Sequence, residues 1–321
     1  MIYTLTLNPA IDERIELESF NAGGVSKFIG AARNIGGKGV NAARTLSILN
    51  SPHEALALIG EDSASFFREE AAREGITLRP FTHPGATRIS QTLIFMQECV
   101  NTHIRRPAPL SGAREAADAA MRYLESVLTK GDYLVLSGSL PENLPANTWG
   151  ECIRLAHERE ALAVLDSSGD ALGEGLAARP FFLKINIDEF IDLSEASSED
   201  RADFRRTVMD FHDSGVSIIV ITMGEGGALL SDGENFYHAR LALPEEERSP
   251  AYTTGCGDAF LGAFLSSLGA ERELSECLSF GVAVSGASTL HPEAAFFTRE
   301  KAEELAASVI LRREFERAFG R

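Results

Sequence analysis

Past residue 112, apolar runs and amphipathic stretches alternate along the chain. Ala113, Ala117, Met121, Leu124 and Leu128 recur at helical spacing and predict a helix over 113–128 with one buried stripe. Short apolar runs at 133–136, 163–166, 181–185 and 217–222 predict strands. The last is rich in consecutive β-branched residues, the pattern of a strand buried on both faces. Between these runs, 147–160 and 202–214 read as helices, and 256–268, 274–290 and 299–315 predict a mostly helical last third. Repeated strand–helix alternation predicts a parallel sheet covered by helices on both sides.

The N-terminal third has a different rhythm. Residues 12–17 alternate polar and apolar, as do parts of 27–35 and 88–104, which suits strands with one face exposed. They flank a βαβ stretch over 40–79. The expected layout is a main α/β domain of residues 1–11, 36–86 and 107–321, with 12–35 and 87–106 forming a small β-sheet lid. The alternative is that these are edge strands of one sheet. No internal repeat or low-complexity segment stands out.

The length of 321 residues suits one large domain with an insertion, or two domains. Lysine and arginine total 30 against 47 aspartates and glutamates, a net charge of -17. Such a surface repels phosphate backbones, so no nucleic-acid partner is expected. It leaves room for a local basic pocket that takes a small anion. The four cysteines (Cys99, Cys152, Cys256 and Cys277) include no C-x-x-C pair, and the seven histidines show no zinc spacing. A reducing compartment fits. The opening run from Met1 to Asn8 is β-like, with no basic segment or long apolar core, and no stretch is apolar enough to span a bilayer. The expectation is a cytoplasmic protein with no membrane partner.

Five segments can carry chemistry. In Thr253-Thr254-Gly255-Cys256-Gly257-Asp258 two glycines precede an amphipathic helix. Glycine lets successive N–H groups converge, and the helix start adds unpaired donors and a positive dipole end. That makes an anion hole, with Asp258 placed to accept a proton from an attacking hydroxyl. Alone, the motif also fits a capped helix start. In Gly36-Gly37-Lys38-Gly39-Val40-Asn41 a lysine sits inside a second glycine turn before a helix. It is not a Walker A loop, because glycine follows the lysine. It suits a sugar phosphate, or a tight turn with a solvated lysine.

In the segment 184–189, Asn186 and Glu189 lie one helical turn apart after a strand. An oxygen pair there suits Mg²⁺ held mainly through water and phosphate, or simply a polar helix start. The segment 222–228 follows a strand with Thr222, Gly224 and Gly227, which suits a nucleotide phosphate or a β-hairpin turn. Ser137-Gly138-Ser139-Leu140-Pro141 also ends a strand. In an α/β sheet the strand ends share one edge, and ligands bind there.

The order of these motifs resembles the ribokinase/PfkB family of carbohydrate kinases over essentially the whole chain, within it the phosphosugar branch. The likeness rests on Leu5-Thr-Leu-Asn8-Pro9-Ala10-Ile11-Asp12, the Gly-Gly-Lys-Gly-Val-Asn of 36–41, Thr87-Arg88-Ile89, the segments 137–141 and 166–169, and the Gly255–Asp258 turn. It implies a ribokinase-like doubly wound, mostly parallel sheet with a small β-sheet lid. It implies ATP and Mg²⁺ as cofactors and a phosphorylated ketohexose as acceptor, with fructose 1-phosphate favoured and tagatose 6-phosphate or fructose 6-phosphate as others. By the resemblance Asp258 is the catalytic base, and Gly255, Cys256 and Gly257 form the anion hole. Asp12, Gly37 and Asn41 match positions that grip sugar hydroxyls. Lys38 and Arg88, with Ser139 nearby, match positions for the substrate phosphate, and Lys27 on the lid is a further candidate. Lys184, Asn186, Thr222, Gly224, Gly227 and Thr254 match the ATP side, and Asn186 with Glu189 the Mg²⁺-arranging element. The lid resembles one that pairs two subunits into a homodimer.

The chain departs from the family pattern at Ser90, where asparagine is usual, at Thr92, where lysine is common, and at Ile185, Cys256 and His291. The first two bear on which phosphosugar is taken. Two other readings remain at this stage: a kinase of an unphosphorylated sugar or nucleoside, and a non-catalytic sugar-phosphate-binding regulator. Paired Lys38 and Arg88 oppose the first, and an intact Asp258 opposes the second.

Overall fold

A computed structural model describes residues 1–98, 100–106, 112–194, 201–242 and 252–313. The N-terminal half contributes strands β1 (Ile2–Thr6), β2 (Ala10–Leu17), β3 (Phe28–Gly36), β4 (His53–Gly60), β5 (Leu78–His83), β6 (Arg88–Phe95) and β7 (Val100–Arg106). The rest adds β8 (Tyr133–Ser137), β9 (Leu162–Asp166), β10 (Phe182–Asn186), β11 (Ile218–Thr222), β12 (Ala228–Ser231), β13 (Phe236–Leu241) and β14 (Val309–Arg312). Between them run α1 (Lys38–Ile48), α2 (Ala64–Arg73), α3 (Ala113–Val127), α4 (Thr148–Glu158), α5 (Gly169–Ala177), α6 (Ile187–Ser194) and α7 (Arg201–Asp213). Three more helices follow: α8 (Cys256–Gly269), α9 (Leu274–Ser288) and α10 (Arg299–Ala306).

Ten strands form one sheet in the order β14-β13-β12-β11-β10-β9-β8-β1-β4-β5. From β5 to β11 all neighbours are parallel, and β12, β13 and β14 add an antiparallel edge. The chain builds outward from β1 through β4 and β5, then returns to β8 on the other side of β1. That reversal opens a crevice beyond the C-terminal ends of β1 and β8, where a doubly wound sheet binds its ligand.

Both faces of the sheet are covered, as the β-branched runs predict. On β10, Leu183 and Ile185 join the core under α3–α7, whereas Phe182 meets Phe264 of α8 with ring centroids 4.9 Å apart. Lys184 therefore faces the α8 side, although it is only 4% exposed. A buried lysine needs a counter-charge, and this one locates the site.

The second sheet, in the order β3-β2-β6-β7, pairs β2 antiparallel to β3 and parallel to β6, with β6–β7 an antiparallel hairpin. Its inner end joins the core through Ile11 and Ile35, while Phe20, Val25, Phe28, Ile29, Val100 and Ile104 are exposed on it or its connecting loop.

One expected element differs. The helix predicted over 299–315 stops at Ala306, and Val309–Arg312 forms β14 against β13. The β-branched Val309 and Ile310 suit an extended edge, and β13 offers unpaired backbone groups. Residues 314 and 315 lie outside the described residues. The segment 222–228 takes the β-hairpin turn considered for it: Thr222 ends β11, and a turn through Gly224–Gly226 leads into the β11–β12 hairpin.

Candidate active site

The parallel strands end in register along one rim. Ser137 pairs with Asp166, and Asn186 with Thr222. Asp166 closes the apolar strand β9 and is fully buried. Its Oδ1 accepts from Lys38 Nζ at 2.9 Å and from Lys184 Nζ at 3.2 Å, while Oδ2 is buried without a partner. Burial opposes its charge, but Lys184 and Lys38 hold the carboxyl below the usual aspartate range. Burial likewise opposes the charge of Lys38, yet Asp166, Glu189 and Asp258 keep its ammonium above the usual lysine range. Glu189 Oε1 lies 3.8 Å from Lys38 Nζ.

Asp258 sits on the first turn of α8 and is 7% exposed. Gly255 precedes the helix at φ 79°, a left-handed conformation that favours glycine, and an added Cβ would crowd Ala294 and Ala295. The Cys256 amide reaches the Thr253 carbonyl over a long 3.4 Å, and among the described residues no hydrogen bond uses the Gly257 amide. Lys184 Nζ lies beside Gly257. Thus two backbone donors, the dipole of a 14-residue helix and an ammonium converge next to a carboxylate. Burial, then Asp166, pushes Asp258 up to about 6 against the pull of Lys38, Lys184 and an Asn41 hydrogen bond. Burial pushes the Cys256 thiol to about 11, so it packs in the turn as a neutral group.

Asn41 stands one turn into α1 and donates Nδ2 to Asp258 Oδ2 at 2.8 Å. Gly37 begins α1 at φ 114°. Gly36 must lack a side chain, because a Cβ there would occupy the place of the Asp12 carboxylate. Burial raises Asp12 to about 6, with Arg44 and Arg88 working against it. Arg88 donates Nε and Nη2 to the Asn8 carbonyl at 3.1 and 2.9 Å, and Asn8 Nδ2 donates to Ser139 Oγ at 3.1 Å. These hold Arg88 and Ser139 together above the β1–β8 crevice. Lys38 lies under the same loop, beside Gly138.

The remaining predicted residues sit around this centre. Asn186 and Glu189 cap α6 reciprocally: the Asn186 amide donates to Glu189 Oε2 at 2.9 Å, and the Glu189 amide to Asn186 Oδ1 at 2.8 Å. Thr222 Oγ1 donates to the Ile185 carbonyl at 3.4 Å, and Gly224 and Gly227 shape the hairpin beside it. Lys184 is not at that hairpin but under the Gly257 turn. Thr254 and His291 line a small cavity with Asp12, Arg14, Asn34 and Thr92, next to the second sheet. Lys27 is exposed and pairs with Glu18 at 3.1 Å, within the second sheet's own strands and loops.

Three contributors carry no assigned role in the sequence reading: Asp166, Asn8 and Arg44. Asp166 left a trace, since an acid closing a fully apolar strand run demands a buried cation. Among the described residues, no cluster of three His, Cys, Asp or Glu side chains could cage a metal ion. Among the same residues, Asp166 Oδ2 is unpartnered at the rim, and Glu189 Oε1 meets only Lys38 Nζ at 3.8 Å. That donor set fits a hydrated cation carried in on phosphate oxygens rather than a resident ion.

Comparisons with known proteins agree with this architecture. Residues 5–301 match the pfkB family carbohydrate kinase. The chain is 31% identical over 285 residues to a 1-phosphofructokinase of Rhodobacter capsulatus, covering 88% of this chain and 89% of that one. It is 27% identical to a tagatose-6-phosphate kinase of Staphylococcus epidermidis, covering 95% and 97%. The phosphofructokinase-2 of Escherichia coli, solved in complex with potassium, shares the fold at TM-score 0.85 and 24% identity, covering 95% and 98%.

Proposed function

The chain belongs to the pfkB family of carbohydrate kinases, and from that premise we propose that it transfers the γ-phosphoryl group of ATP to a hydroxyl of a ketohexose phosphate, fructose 1-phosphate first among them. Fructose 1,6-bisphosphate would then be the product. The observation that carries the reading is Asp258, buried beside the Gly255–Gly257 turn and flanked by Lys38 and Lys184.

In this reading Asp258 accepts the proton of the acceptor hydroxyl. The amides of the Gly255–Gly257 turn and Lys184 receive the charge that develops on the transferring group. Asp12 and Asn41 hold the sugar hydroxyls. Arg88, Ser139 and Lys38 face the phosphate the substrate already bears. Arg88 is held by its Nε and Nη2 bonds to the Asn8 carbonyl, which fix its place beside Ser139. Thr222, Gly224 and Gly227 border the nucleotide. Glu189, with Asn186 and Asp166, would hold Mg²⁺ through water. When bound, that ion would neutralise phosphate charge.

Arg88 also tests the phosphate reading. Arg88→Ala is expected to raise KM for a ketohexose phosphate about 100-fold, the value of one charge-assisted contact of about 3 kcal/mol, with KM for ATP little changed. Equal losses on phosphorylated and plain sugars would remove the phosphate from the proposal.

The second sheet is read as a lid over the substrate and as the contact with a second copy of this chain. Support comes from the start of β3 and the loop before it, where Phe28, Ile29 and Val25 are 61%, 50% and 90% exposed. Exposed apolar residues concentrated on one small sheet call for a cover. Sedimentation is expected to give a dimer, and Phe28→Asp to shift it to monomer. A wild-type monomer at micromolar concentration would remove the pairing.

A further inference from the structure

Arg44 has no assigned role above, yet its surroundings are unusual. It lies on α1, one turn after Asn41, and is 3% exposed. Its guanidinium makes four directed bonds. Nε donates to Glu74 Oε2 at 2.7 Å, Nη1 to Asn41 Oδ1 at 2.7 Å and to the Ala294 carbonyl at 3.0 Å, and Nη2 to the Ile35 carbonyl at 2.7 Å. Those partners come from the cap of α2, from α1, from the loop after α9 and from β3. The loop is the one packed against Gly255. Ile35 precedes Gly36, which makes room for Asp12.

We propose that Arg44, anchored by Glu74, is a positioning residue for the Asp258 base: it locks the Asn41 side-chain amide so that Nδ2 faces Asp258. A guanidinium has only donors, so the group facing it on Asn41 must be Oδ1. The amide nitrogen is then turned to Asp258 Oδ2. Flipping the amide would set Oδ1 against the carboxylate and the NH2 group against the guanidinium, two repulsive contacts in place of two hydrogen bonds. With Oδ2 committed as acceptor, the other carboxylate oxygen, Oδ1, is the one left for the substrate proton. The line Glu74–Arg44–Asn41–Asp258 thus fixes which oxygen of the base works. The inference rests on the reading of Asp258 as base.

Its consequence is a pH effect with a definite sign. Asp258 is faced by Asp166 from β9, Lys184 from β10, Lys38 and Asn41 from α1, and the Cys256 thiol from its own turn. Of these, Arg44 touches only Asn41. Arg44→Lys keeps the charge but cannot span four acceptors, so the amide is freed to flip. Losing a donor to the carboxylate raises the Asp258 pKa, and the acidic limb of kcat/KM moves to higher pH.

The test is the pH profile of kcat/KM for the wild type, Arg44→Lys, Asn41→Leu and the double variant, each corrected for its folded fraction. The expected result for Arg44→Lys is a limb shifted up by about one pH unit, the value of one hydrogen bond to a charged group, which lowers kcat/KM about 2-fold at pH 7 and about 10-fold well below the limb. The double variant should match Asn41→Leu. Where Arg44→Lys does not fold, Glu74→Gln carries the test: it removes the ion pair but keeps an acceptor, and a smaller upward shift is expected. A limb unmoved in the folded variant, with activity lost only in proportion to unfolding, would overturn the proposal. An Asp258→Asn enzyme that keeps full activity would overturn the base reading itself and this positioning role with it. That control separates the two failures.

Discussion

Asp258→Asn is expected to abolish turnover while making the folded protein more stable above neutral pH. General base catalysis contributes about 10²–10⁴-fold, and an amide of the same shape cannot accept the proton. A fall in kcat of at least about 10³-fold, with KM values near wild type, is the expected outcome. The stability gain follows from burial. The folded carboxyl sits near 6, above the unfolded range of about 4, so the folded state holds its proton more tightly. Wild-type Asp258 is therefore least unfavourable below pH 4, and its penalty grows as pH rises through 6. Two pH units set a ceiling of about 3 kcal/mol, and a gain of about 1–3 kcal/mol is expected for the variant at pH 8. It should vanish by pH 4. Asp12 titrates in the same range but is common to both proteins, so the comparison isolates Asp258. Melting curves at pH 4 and pH 8 read the gain, and equal stability at both would contradict it.

Asp166→Asn acts in the opposite direction. One oxygen of Asp166 meets two ammonium groups, and Lys184 is nearly as buried as the aspartate. Removing the charge leaves Lys184 without its hydrogen-bonded ion-pair partner, a loss of about 3–5 kcal/mol for a broken buried pair. Because the Asp166 carboxyl is held below its ordinary value, its stabilisation is complete above pH 4 and is lost only as pH falls through the folded pKa. The gap between wild type and variant in urea unfolding should thus be constant from about pH 7 to pH 8, above the titration of Asp258, and narrow below pH 4. Asp166 also raises the Asp258 pKa, so residual activity should show an acidic limb at lower pH than wild type. A change in stability under about 1 kcal/mol would mean that this ion cluster does not hold the rim together.

The parallel sheet was legible because strands such as 133–137 and 218–222 are short, apolar throughout and separated by helical patterns. The second sheet showed through the alternation of 12–17. The last strand was hidden: residues 299–312 keep a helix-compatible pattern, and only the free edge of β13, a partner some 70 residues earlier, selects an extended form at Val309. The site divides the same way. Glycine turns before helices announce themselves, so Gly37, Gly255 and Asp258 could be picked out. Side-chain partners distant in sequence could not. The bond from Asn41 to Asp258 spans 217 positions, and that from Lys38 to Asp166 spans 128. Arg44 looks like an ordinary helical arginine until the fold brings Glu74, Ile35 and Ala294 around it. The pair Asn186 and Glu189 was visible, but its reciprocal capping of α6 is a structural use that spacing cannot distinguish from cation binding.

The most direct measurement is ADP release from ATP and Mg²⁺ across fructose 1-phosphate, fructose 6-phosphate, tagatose 6-phosphate and the corresponding free sugars. Rapid turnover with a ketohexose phosphate, fructose 1-phosphate foremost, and little with any free sugar is the predicted result. Turnover with free sugars alone, or ATP binding without turnover on any of them, would contradict it.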